Sequence, residues 1–331
     1  MAAVVRRVLV LMAGLGCAGL WGAGLTRIGS AQSAAAPTQV VGQEPLGAKT
    51  PDVKVEETKP ESVERPLPDI PSLMRAVEAN EKTAEAVEKD YLYHAFATEQ
   101  ASDGHGGVKK TETREYDVFW LEGVEVSRLT KKDGKELSAD EQKKESDRID
   151  KEVAKEKEKR AKADEKGKET DPRGHDVVTV SRLLELGSFT NARREQLNGR
   201  DVIAVDFSGD PKAKTKNRSE DVIRDMVGTA WMDEQDKVLV KAQGHFVNDF
   251  KIGGGLVANI RKGTSFQMEQ RKINDEVWLP ATIEAQGGFR ALLFVSFNGS
   301  FKVVNSDYRK FKATSTILPG VSTVQPQPDP Q

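Results

Sequence analysis

The residues able to do chemistry are few and scattered. The 331-residue chain has four histidines, His94, His105, His175 and His245, and no two stand three or four positions apart. Its one cysteine is Cys17. Zinc asks for three or four Cys, His or carboxylate ligands closed around one point, and this spacing gathers none. Nucleophilic catalysis wants a nucleophile beside a base, or a G-x-S-x-G elbow, and the sequence shows neither. Gly253-Gly254-Gly255 runs on into Leu256 rather than Gly-Lys-Ser/Thr, so it reads as a hairpin turn and not a phosphate loop. Asp233 and Asp236 supply too few spaced oxygens for a calcium loop. Asn298-Gly299-Ser300 fits a glycosylation acceptor, which export alone does not make a used one. His94 and His245 fall on strand patterns and read as rim residues. The expectation is a protein with no catalytic residue, no metal and no cofactor.

What the sequence does arrange in quantity is apolar side chains at period two. Val238, Val240, Ala242, Gly244 and Phe246 alternate with other residues, as do Ala258, Ile260, Phe266 and Met268. Val277, Leu279, Ala281, Ile283 and Ala285 follow, then Leu293, Val295, Phe297, Phe301 and Val303. Such alternation marks strands with one buried face. The candidate ligand-binding residues are therefore Val240, Phe246, Ile260, Phe266, Met268, Leu279, Ile283, Phe297 and Phe301. Two readings stay open: they line a cavity for acyl chains, or they form a core packed by helices. Trp231 and Trp278 are expected on the other phase or at strand ends.

The elements that must position these residues follow from periodicity and turn chemistry. A helix starts near Pro71-Ser72 and carries Leu73, Val77, Asn80, Ala84 and Val87 at helical spacing. Strands are expected over Tyr91–Glu99, Thr111–Leu121 and Val124–Thr130, the first two joined by a turn in Ser102–Gly107. A second amphipathic helix covers Val177–Leu186. Asp233–Asp236, Gly253–Gly255, Asn274-Asp275 and Gly287-Gly288 separate the later strands. There is no βαβ rhythm. The fold class is α+β: a curled antiparallel sheet of about 9–11 strands, an unclosed β-barrel, covered by two helices.

Between strands three and four lies a segment, 131–168, dominated by Lys, Arg, Glu, Asp and Ala. Ser138-Ala139-Asp140-Glu141 is a capping box. Acid–base pairs recur at i,i+4 as Asp140–Lys144, Asp147–Lys151, Glu156–Arg160 and Glu158–Lys162. Ile149 and Val153 are its only large apolar residues inside, too few for a coiled-coil seam. The expectation is a solvent-exposed helical insertion, either a spacer or an arm (139–168) for an envelope protein partner.

Both ends read as unstructured or removable. Arg6 and Arg7, the apolar run Val8–Leu25 and the small residues at 31–36 suit a signal peptide over 1–36. The alternatives are a retained anchor or lipidation at Cys17. Residues 37–70 form a Pro/Glu-rich linker, and 317–331 a Pro-rich tail. The folded domain is then 71–316, exported to the periplasm. A cysteine-free mature chain suits an oxidising compartment. Net charge is −2, and no basic stripe with interleaved aromatics points to nucleic acid.

Gly228-Thr229-Ala230-Trp231-Met232-Asp233, the strand Val238–Phe246, Lys262-Gly263-Thr264-Ser265-Phe266 and Val277-Trp278-Leu279-Pro280 together resemble the LolA/LolB-like periplasmic lipoprotein-carrier superfamily. Its outer membrane lipoprotein-sorting relatives look most similar, and the resemblance covers about 73–315. It implies an unclosed antiparallel barrel with a helical lid, acyl chains held inside, and no catalysis. The insertion, the linker and the tail are departures from the simple carriers. The functional expectation is a non-catalytic periplasmic binder of lipid or lipoprotein acyl chains in envelope trafficking. The alternative is an envelope sensor or interaction scaffold that uses the charged helix and linker.

Overall fold

The computed structural model describes residues 65–105, 107–165, 178–252, 258–291 and 295–311. The expected signal peptide, nearly all of the linker, the tail, Cys17, His175 and the Gly253–Gly255 turn lie outside the described residues.

Helix α1 (Ile70–Glu88) begins where Asp69 accepts the Ser72 N–H at 3.0 Å, with Pro71 in the first turn. Proline loses nothing there, because that N–H has no partner within the helix. Leu73, Met74 and Val77 form its buried face. Strands β1 (Tyr91–Ser102), β2 (Val108–Leu121), β3 (Val124–Lys132) and the two-residue β4 (Lys135–Glu136) form a meander. Helix α2 (Ala139–Asp164) is the charged insertion, and α3 (Val180–Leu186) follows it. Next come β5 (Gly187–Leu197), β6 (Arg200–Gly209), α4 (Arg218–Arg224), β7 (Met226–Asp233) and β8 (Leu239–Phe246). The chain then forms β9 (Phe250–Ile252), β10 (Ala258–Ile260), β11 (Ser265–Ile273), β12 (Val277–Ala291) and β13 (Val295–Lys310).

All 13 strands belong to one sheet, and eleven form a continuous path: β4-β3-β2-β1-β13-β12-β11-β8-β7-β6-β5. The pairings are antiparallel, and the path does not close on itself. Several hairpins turn on two residues of positive φ, as at Asp133-Gly134 (47°, 73°) and Asn198-Gly199 (52°, 77°). That conformation matches the right-handed twist of the flanking strands, and Asn, Asp and Gly adopt it most readily.

The sheet buries apolar residues on both faces. The main core lies on the inner face, under α1, α3 (Val180, Leu183, Leu186) and α4 (Val222, Ile223). On the outer face Val202, Ala204, Trp231, Val238 and Val240 cluster with Leu197 and Trp278. A smaller group, Tyr91, Val277 and Leu279, packs with Val87 at the end of α1.

Two expectations are corrected. A third helix, α4, adds to the cover. Its seven residues bury only two apolar side chains, the adjacent Val222 and Ile223, so no stripe at i,i+4 announced it. The insertion is also docked rather than free: Ile149 and Val153 pack on Val124 and Val126, beside Phe119 and Leu121.

Candidate ligand-binding face

Strand register places the inner-face residues in rows that cross the sheet. One row runs Ala97, Val303, Ile283, Met268, Ala242, Ala230, Val205, each opposite the next on a neighbouring strand. Every member is buried, so this row is core. The adjacent row runs Glu99, Phe301, Ala285, Phe266, Gly244, Gly228, Phe207, Phe189 across eight strands. Here Phe301, Phe207 and Phe189 are only half-buried, and Phe266 retains 9% of its surface. Ile260 on β10 and Leu184 on α3 are also half-buried against the same core. The helices therefore cover the first row fully and the second in part. What remains is an apolar band along the inner face.

Local packing builds the band. The Phe189 and Phe207 rings sit 5.0 Å apart, tilted by 44°. The Phe266 ring crosses Gly244 so closely that a Cβ there would come within 3.0 Å of it. Glycine lets the ring lie flat on the strand.

The end of the band at β1–β2 is polar. Glu99 faces Phe301 across the strand pair and lies 3.6 Å from Arg114, which also donates to Glu112 at 2.9 Å. Burial pushes the Glu99 carboxyl above its ordinary range, against the pull of Arg114.

The sequence-selected residues divide among several places. Phe246 (0% exposed) and Met268 (1%) are sealed in the main core, and Ile283 and Phe266 are buried there with some surface left. Phe246 borders no space wide enough for water. Phe301 and Ile260 are half-buried at the band. Leu279 belongs to the small cluster at the end of α1. Val240 is on the opposite face, with Trp231. Phe297 pairs with Phe289 in the β12–β13 register, and its side chain lies outside the described residues. Phe189 and Phe207 were not selected. Their signal was one aromatic on each of two successive strand-like segments, 187–197 and 200–209.

His94 lies on β1, its ring nitrogens 3.3 Å from Glu115 and 3.5 Å from Asp117. Asp233 is a turn residue: its carboxylate accepts the N–H groups of Gln235 and Asp236 at 3.0 and 2.7 Å. Among the described residues no group of three His, Cys, Asp or Glu is placed to hold a metal ion. No described helix is long and apolar enough to cross a membrane.

Several solved structures are similar to the chain in backbone. A domain from Vibrio parahaemolyticus, assigned as an outer membrane lipoprotein-sorting protein, matches 71% of this chain and 91% of its own, at 11% identity and a TM-score of 0.33. A LolA superfamily protein from Nitrosomonas europaea matches 71% and 93%, at 11% identity and a TM-score of 0.30. A DUF1329 family protein from Desulfovibrio piger matches 72% and 92%, at 10% identity and a TM-score of 0.29. No protein-family model matches the chain. No curated protein matches it either.

Proposed function

We propose that the protein is a non-catalytic binder of acyl chains, lipid or lipoprotein, working in the periplasm of a bacterial envelope. The observation that carries this reading is the inner-face band in which Phe301, Phe207 and Phe189 are half-buried around Phe266, which keeps 9% of its surface. Partly exposed aromatics in one continuous row form a surface that an apolar guest can finish burying. Each methylene laid on it would contribute about 0.8 kcal/mol. The band has one polar end, at Glu99 and Arg114, where a head group can stay solvated. Phe266, Phe301 and Ile260 are retained as ligand-facing residues, joined by Phe189 and Phe207, while Ile283 belongs to the covered core row. The export signal expected over 1–36 supports the location.

The test is extraction of the purified protein with organic solvent, followed by mass spectrometry, together with titration of a fluorescent fatty acid. Co-purified acyl lipid and saturable probe binding are expected. Phe207→Asp with Phe301→Asp should weaken probe binding at least tenfold while leaving the far-UV dichroism unchanged. A protein that emerges empty and takes up no probe overturns the reading.

A further inference from the structure

Neither the band nor the core explains the charged insertion. Helix α2 runs over β3, the last long strand at one end of the sheet, where β4 pairs only with Lys131 and Lys132. An end strand turns a row of N–H and C=O groups outward, ready to template another strand. Here α2 takes them. The Glu145 carboxylate accepts the Leu129 N–H at 2.8 Å, Arg148 donates to the Ser127 carbonyl at 2.6 Å, and Arg160 donates to the Gly123 carbonyl at 3.2 Å. Residues 127 and 129 differ by two, so their backbone groups point to the same side of the strand, and Gly123 stands in the turn that leads into it. Arg148 is itself held by Glu145 at 2.7 Å and Glu152 at 2.5 Å. These side chains stand where a neighbouring strand would.

Two features make this cover removable. The docking side presents only two large aliphatic residues, Ile149 and Val153. The helix also holds itself together. The capping box between Ser138 and Glu141 is closed, and Glu158 bonds Lys162 within the helix. Lifting α2 would therefore free β3 without unwinding α2.

We propose that α2 guards a latent self-pairing edge: with α2 lifted, β3 pairs antiparallel with the β3 of a second copy, Ser127 facing Ser127. A strand edge offers donors and acceptors alternately, so it is complementary to itself about a two-fold axis. That axis brings Glu125 opposite Leu129 and keeps inner face beside inner face. Loss of α2 would also uncover Val124 and Val126, which a dimer can bury.

Sedimentation of the full chain decides the matter. The unaltered protein should remain monomeric across a concentration series. Glu145→Ala, Arg148→Ala and Arg160→Ala combined with Ile149→Asp should shift it to a concentration-dependent dimer. Adding Ser127→Pro should return the monomer, because proline cannot pair at that edge. If the combined variant fails to fold, Glu145→Lys alone, with Ile149 and Val153 retained, replaces it and is judged by the same Ser127→Pro test. A folded variant that stays monomeric overturns the proposal, and so does a dimer indifferent to Ser127→Pro.

Discussion

Asp233 has no exposed surface, yet the structure favours its charge. Burial alone would raise its carboxyl. Arg200, at 2.5 and 2.9 Å, and the Asp236 N–H overcome that and hold it below the usual carboxylate range. Breaking a buried pair from one side strands the other charge, and typically costs about 3–5 kcal/mol. Arg200 keeps some contact with water, so Asp233→Ala is expected to cost about 3 kcal/mol, read as a lowered urea midpoint. A midpoint shift of less than about 0.5 kcal/mol, the size of an ordinary surface substitution, would contradict this. The same scale shows where reading from sequence fails. Val238, Val240 and Ala242 alternate, which puts them on one face. In the structure Trp231 pairs with Lys241 and Met232 with Leu239, so Val240 is an extra residue in the ladder. The bulge reverses the alternation: Ala242 and Leu239 face the main core, while Val238 and Val240 face outward. Nothing in the local sequence marks it, because Leu and Val are equally apolar.

At the scale of elements, local signals were legible wherever a side chain bonds its own backbone. The Ser138–Glu141 capping box was readable from spacing, and it forms: Glu141 accepts the Ser138 N–H at 3.0 Å. That bond first, then the Ser138 hydroxyl and Lys132, lowers the Glu141 carboxyl to about 2. A folded-state value below the unfolded one gives stability that is present above the unfolded pKa. It is lost as pH falls from about 4.5 toward about 2. The first turn of α2 is therefore expected to fray in that window. Carbon-13 shifts of the Glu141 carboxyl should titrate with a midpoint near 2, and amide exchange at Glu141 and Gln142 should rise below it. A midpoint near 4.5 would show the box to be open in solution. The docking of α2 was less legible, because Ile149 and Val153 alone make no stripe. Their role depends on Val124 and Val126 lying above the free edge, and that placement is tertiary. Of the four spaced ion pairs, Glu158–Lys162 forms as expected, while Glu156 pairs with Lys159 and Arg160 turns to Gly123.

For the whole molecule, alternation and short turns revealed an antiparallel sheet but not its order. The pairing of β1 with β13, from Tyr91–Lys310 to Ala101–Gly299, joins segments some 200 residues apart and leaves no local trace. The band depends on that pairing. It brings Phe301 beside Glu99, and the β11–β8 step that bypasses β9 and β10 brings Phe266 onto Gly244. Four phenylalanines from distant segments meet in one row only through this topology. A guest on that row would bridge strands from β5 to β13 and so favour the folded state over the unfolded chain. Binding to the native state alone stabilises by about 2.7 kcal/mol at a ligand concentration of 100 Kd. For a domain of this size each kcal/mol moves Tm by about 2–4 °C, so saturating fatty acid should raise Tm by about 5–10 °C. Amide protection should rise together in β5, β6, β11 and β13, the strands that carry the four rings, and not in β3. A Tm unchanged by ligand, or protection confined to one hairpin, would mean that the row does not act as a single surface.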